Sequence, residues 1–191
     1  MKKKLFVCAF LAICLSIVAY GTIAYFTAEE TATNIITTGY IKIELQEWAV
    51  PEGGGDPVPF EDVINVLPGT DVSKIVQVKN ISLQPAWIRI SLDDIVIFAN
   101  GKSEDVDSSL IYYDLNTESW TEKEGYYYYN SVLKAGETTE PLFTKVSFSE
   151  TMGNTYQNSK FTVRVSAQAT QVIHNGETVF EALGWPESQA E

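Results

Sequence analysis

The chain has 191 residues, and its 25 acidic against 13 basic side chains give a formal net charge of −12. That balance speaks against nucleic acid and anionic lipid as partners, since both are held by clustered Lys and Arg. Two cysteines and one histidine leave little material for thiol, zinc or Ser-His-Asp chemistry.

Lys2, Lys3 and Lys4 precede an uncharged apolar stretch from Leu5 to Ala24, which is the build of a secretory signal. Thr22 and Ala24 occupy the −3 and −1 positions of a cut between Ala24 and Tyr25, with Gly21 just upstream. At 20 residues the stretch is also long enough to cross a bilayer, so a retained anchor is the alternative. The small residues at its end favour cleavage. A lipoprotein signal at Cys14 is set aside because Ile13 is too bulky for the position before it. Removing residues 1–24 takes three lysines and both cysteines, leaving 10 basic against 25 acidic groups, net −15. The mature chain then has no disulfide, although export would permit one, and must be held by a hydrophobic core.

Residues 25–36 are rich in threonine and lack alternation. They read as a flexible arm or as a segment that pairs with a sheet edge. From residue 39 onward a period of two dominates, the signature of half-buried strands. Strands are expected at 40–46, with Ile41, Ile43 and Leu45 inward, and at 72–80, with Val76 and Val78 inward. Two more are expected at 86–93 (Ile88, Ile90, Leu92) and 161–170 (Phe161, Val163, Val165, Ala167, Ala169). Shorter ones fall at 110–115, 126–129 and 142–148. Turn chemistry separates them at Pro51–Pro59, Pro68-Gly69, Asn100-Gly101, Lys134-Ala135-Gly136 and Gly153-Asn154. One helical turn is expected at 178–183, stopped by Gly184 and Pro186. The pattern predicts one all-β domain over 38–186, a jelly-roll-like antiparallel β-sandwich with that short C-terminal helical turn, followed by a loose tail at 187–191.

Enzymatic patterns are weak. His174 stands alone beside Asn175-Gly176 in an expected turn and reads as a surface residue. The carboxylates Asp93, Asp94, Glu104, Asp105 and Asp107 match no EF-hand spacing and read as a solvated acidic loop. Tyr112, Tyr113, Trp120 and Tyr126–Tyr129 offer rings for a sugar platform, but in strands half of them must point inward. Leu67-Pro68-Gly69-Thr70 has its threonine and glycine in the wrong order for a sortase signal and reads as a turn. Asn80-Ile81-Ser82 fits a glycosylation acceptor, which matters only in a secretory eukaryote. No catalytic, cofactor-binding or metal residue is assigned, and the chain is expected not to be an enzyme.

The run Gly21-Thr22-Ile23-Ala24-Tyr25-Phe26-Thr27, then Thr31-Ala32-Thr33-Asn34 and Thr38-Gly39, resembles the export signal and mature start of the TasA/camelysin family of Gram-positive exported proteins. Pro68-Gly69, Val76-Gln77-Val78-Lys79-Asn80, Pro85-Ala86-Trp87-Ile88-Arg89-Ile90, Val165–Ala169 and Ala182-Leu183-Gly184-Trp185 are similar to later stretches of the same family. The resemblance is loose between about 93 and 150. It implies a jelly roll, secretion through a SipW-type signal peptidase, and extracellular fibres of biofilm matrix or cell surface. In such fibres the mature N-terminus adds as a strand to a neighbouring subunit, either a copy of itself or a related one. The donor would then be residues 25–37, with Phe26, Ile35 and Ile36 as anchors; the alternative is an arm that folds back on its own sheet. The family reading leaves the membrane to the signal segment alone. Some camelysin-like relatives are described as metalloproteases, and this chain lacks the ligands to carry that over. A monomeric surface module for carbohydrate or a protein ligand is the other expectation.

Overall fold

The structure is a computed structural model describing residues 34–37, 41–61, 67–98, 103–105, 108–153, 156 and 159–186. The signal segment 1–24, the cleavage pair Ala24 and Tyr25, Phe26, Asn100-Gly101 and the tail 187–191 lie outside the described residues.

Among the described residues eleven strands build two sheets: β1 (Asn34–Thr37), β2 (Ile43–Ala49), β3 (Val58–Pro59), β4 (Asp71–Asn80), β5 (Ala86–Ile97), β6 (Ser103–Asp105), β7 (Ile111–Tyr113), β8 (Trp120–Lys123), β9 (Tyr126–Tyr129), β10 (Phe143–Phe148) and β11 (Lys160–Gln171). The first sheet runs β1-β11-β5-β9-β8, with β6 also beside β5; the second runs β3-β2-β4-β10-β7. Every described pair is antiparallel except β1 with β11, which is parallel. The expected sandwich is present, and the chain is almost entirely β.

The alternating residues do what their period dictates. Ile43 and Leu45, Val76 and Val78, Ile88 and Ile90, Val146 and Phe148, and Ala167 and Ala169 meet between the sheets. Leu133, Leu142 and Phe143 join them from the connections and from β10. At roughly 25 cal/mol per Å² of buried apolar surface, this layer is the main term holding the domain together. Lys74 shares the inward face of β4 with Val76 and Val78 and is only 3% exposed. Its Nζ sits 2.5 Å from Glu47 Oε1 and 3.8 Å from the centre of the Phe60 ring. Pairing with a carboxylate and covering by an aromatic face are what a buried ammonium requires.

The β8–β9 connection is a two-residue hairpin in which Glu124 (φ 54°) and Gly125 (φ 79°) are both left-handed. That is the type I′ turn whose twist matches the flanking strands. The expected C-terminal helical turn is one i→i+3 turn, Glu181 N–H donating to Thr178 O at 3.1 Å. Its surroundings carry the main departure from the sequence pattern, which predicts a wet outer face for β11. In the structure Gln168 and Thr170 on that face are as buried as Ala167 and Ala169 on the other. Residues 172–186 fold back across the first sheet, where Val179 and Ala182 pack on Trp87 and Tyr128, with Val172 and Trp185 alongside.

The centre of this outer layer is Arg89. Its Nε donates to Gln168 Oε1 (2.8 Å) and its Nη1 to the Tyr128 hydroxyl (3.2 Å). The guanidinium lies 3.9 Å from the Tyr126 ring centre and 4.6 Å from that of Trp185. Stacking on aromatic faces is the arrangement an arginine, unlike a lysine, can make with its planar fork.

Candidate functional site

An open cleft of about 940 Å³ lies at an end of the sandwich. Three segments wall it: Ile41 and Lys42 leading into β2, Ile81–Pro85 between β4 and β5, and Gln171, Ile173 and His174 after β11.

Two asparagines shape these walls. Asn80 is fully buried, and its Nδ2 donates to Gln84 O (2.8 Å) and Leu133 O (3.0 Å). Its Oδ1 accepts from Ser82 N–H (3.0 Å) and Ser82 Oγ–H (2.6 Å). With all its hydrogen-bonding capacity used inside, Asn80 folds 81–85 into one shape, and the alternate residues Ile81 and Leu83 turn outward. They are 49% and 93% exposed. The same bonds correct the glycosylation reading: the Asn80 amide is a buried structural group with no surface to offer.

Asn175 plays the matching part on the other wall. Its Nδ2 donates to Gln171 O (2.8 Å) and Leu183 O (2.9 Å), and its Oδ1 accepts from Leu183 N–H (2.7 Å). Trp87 Nε1 donates to its carbonyl at 3.2 Å. Gly176 follows at φ 80°, where a Cβ would stand 2.9 Å from the Glu181 carbonyl carbon, so no larger residue fits this turn. Ile173 is held out at 52% exposure, and His174 adopts a left-handed φ of 57°, which costs a non-glycine residue energy.

The charge of the cleft is opposite to that of the chain. None of its ten lining residues is acidic, while Lys42 and the single histidine, His174, are among them. Neither has an ion-pair partner among the described residues.

The strand β1 lies nearby in the fold. It is the outermost strand of the first sheet, pairing Asn34 with Ser166, Ile35 with Ala167, Ile36 with Gln168 and Thr37 with Ala169. Of the expected anchors, Ile35 and Ile36 therefore sit on a sheet edge of their own chain, whereas Phe26 is outside the described residues.

Other residues singled out from sequence resolve as structure. The acidic loop reading is corrected at Asp93, Asp94, Glu104 and Asp105, which lie in β5 and β6; Asp107 is outside the described residues. Asp94 turns inward and accepts a short hydrogen bond from the Tyr113 hydroxyl, joining the two sheets. Burial raises the Asp94 pKa above its ordinary value, and the Tyr113 bond offsets part of this. Burial and the carboxylate next to it push the Tyr113 hydroxyl far up as well. Tyr127 and Tyr129 pack against the inner core, and Tyr126 and Tyr128 belong to the layer under residues 172–186. The ring cluster is thus absorbed on both faces of the sheet, leaving Tyr112 exposed. Among the described residues no group of three or more His, Cys, Asp or Glu is placed to hold a metal ion, and no helix is long and apolar enough to cross a membrane.

The sequence reading missed the cleft. Its signal was Asn80-Ile81-Ser82-Leu83-Gln84-Pro85, in which two large aliphatics stand in a connection between two strands, where polar residues are the rule. Comparison with known proteins finds no matching family model, no matching curated protein and no matching solved structure.

Proposed function

We propose that this chain is an exported, non-enzymatic structural protein of the cell surface or extracellular matrix, which assembles with copies of itself or a related subunit by adding its N-terminal segment to a neighbour. The observation that carries the reading is β1: the first described segment forms a separate, four-residue, parallel edge strand on β11. Its partner is far away in sequence, so the edge of β11 can be filled by the same residues of another chain with the same backbone bonds. An arm donated in one direction gives a heterologous contact, which propagates as a filament when it does not close. The signal-like N-terminus and the resemblance to the TasA/camelysin family support export, a SipW-type peptidase and a matrix setting.

The test is electron microscopy of the secreted protein, paired with its intact mass and N-terminal sequence. A start at Tyr25 with fibres is the expected result. Deleting residues 25–36 should abolish fibres and leave a folded monomer; fibres from that variant would show that strand addition by the arm is wrong. The end cleft favours a second reading, a monomeric surface module that binds a protein ligand. A start at Tyr25 with monomers alone would transfer weight to it.

A further inference from the structure

We infer that the end cleft receives an acidic peptide segment of a different protein, extended and carrying apolar side chains at alternate positions. The inference rests on the second reading above, in which the cleft takes a protein ligand, and names the chemistry of that ligand.

Three observations lead to it. The cleft is built to stay open: Asn80 and Asn175 lock its two walls by hydrogen bonds, and those locks hold Ile81, Leu83 and Ile173 in solvent. Exposed aliphatics on a rigid, concave surface mark a place where apolar side chains dock. Backbone groups are on offer beside them. Leu83 on one wall and Ile173 on the other each leave N–H and C=O without a hydrogen-bond partner among the described residues. An extended segment answers both features, because its main chain can bond to those groups while alternate side chains reach the walls. A lipid tail answers only the first.

Charge sets the sign of the ligand. No acidic residue lines the cleft, in a chain with nearly twice as many acids as bases. Lys42 and His174 stand in it without an ion-pair partner among the described residues. Lys42 lies on the wall of Ile81, whose N–H donates to its carbonyl at 3.0 Å, and His174 follows Ile173 on the other wall. A ligand carboxylate therefore meets an ammonium on one side and an imidazole on the other, whereas a cationic segment meets repulsion without relief. The N-terminal arm of this chain is not that ligand. β1 runs from opposite Ser166 to opposite Ala169, so the chain enters it at the end of β11 away from Gln171, where the cleft begins. The occupant is a separate chain.

The experiment measures binding of short fluorescein-labelled peptides to the intact secreted protein by polarisation. One alternates leucine with glutamate, one leucine with lysine, and one serine with glutamate. The leucine–glutamate peptide should bind at least about tenfold tighter than the serine–glutamate one, since a single apolar side chain taken out of water is worth that much. It should also bind tighter than the leucine–lysine peptide, which Lys42 repels. Leu83→Asp should remove the preference for leucine over serine. At its exposure this substitution leaves the fold intact, and circular dichroism of the same sample confirms it. Lys42→Glu should weaken the leucine–glutamate peptide and strengthen the leucine–lysine one. No binding, equal binding of the three peptides, or binding unchanged by Leu83→Asp would each overturn the inference. So would Leu83-dependent capture of the protein by phosphatidylcholine vesicles, which would assign the cleft to a lipid surface. Electron microscopy of the same sample separates the two failures. Monomers that bind none of the peptides overturn the acidic-segment inference and leave the monomeric module. Fibres alongside Leu83-dependent binding overturn the monomeric module and leave the inference.

Discussion

The two faces of the first sheet are both buried over β5 and β11, yet they are built from different material. The inner face meets the second sheet through aliphatic side chains, with Ile88, Ile90, Ala167 and Ala169 fully buried. The outer face meets residues 172–186 through rings and polar groups, with Arg89 stacked between Tyr126 and Trp185 and bonded to Gln168. An aliphatic layer is non-directional and forms wherever a period of two supplies it. A layer of arginine, aromatic and amide groups is directional, and forms only when the covering segment is in place to satisfy it. The inner face therefore supports the fold, and the outer face fixes the position of one segment, whose turn at His174 is a wall of the cleft.

That contrast is open to direct test. The largest effect should come from the inner layer. Phe143→Ala, at a fully buried site against Tyr113, should cost about 3–5 kcal/mol in urea unfolding. Asn80→Ala should follow at about 2–3 kcal/mol, because it strands Ser82 N–H and takes one of two donors from each of the Gln84 and Leu133 carbonyls. Trp185→Ala, in the half-buried outer layer, should cost about 2 kcal/mol and speed amide exchange in 172–186 more than in β4. A loss equal to that of Phe143→Ala, with uniform exchange, would mean that the outer segment is part of the core and not an added layer.

A smaller effect belongs to Asp94. Its folded pKa is raised, so the folded state holds a proton that the unfolded chain has already released. Stability should then fall as pH rises from the ordinary carboxylate value through the raised one, opposite to the usual behaviour of a paired carboxylate. Asp94→Asn, which keeps an acceptor for Tyr113, should be more stable than wild type at pH 7 and lose that advantage in acid. An advantage that does not change with pH would refute the buried-charge account. The smallest effect is expected of Leu83→Asp, which should leave the unfolding midpoint within about 0.5 kcal/mol of wild type, because the side chain contributes to the surface and not to the core.

Much of the sandwich was legible because burial on one side of a strand leaves a period of two. Most inner aliphatic residues of β2, β4, β5 and β11 were marked by it, although β2 begins three residues later than expected and β5 extends to Ile97. The two-residue β3 and three-residue β6 are too short to show a period, and β8 has Trp120 as its one buried residue. Lys74 broke the pattern because its partners, Glu47 and Phe60, come from other segments. The cleft left a faint signal in Ile81 and Leu83, and none in Ile173 and His174, since their exposure is set by Asn175 bonding to residues up to eight positions away.

The sequence by itself determined which residues alternate, where turns interrupt them, the sign of the charge and the signal-like start. These are local properties, written in spacing and composition. The tertiary structure decided that β1 lies parallel to β11, that the outer face of that sheet is dry, and that two asparagines, one buried and one half-buried, hold aliphatics out around a cleft without acid. Each of these depends on groups distant in sequence satisfying one another's hydrogen bonds or covering one another's surface, and no local pattern carries that information.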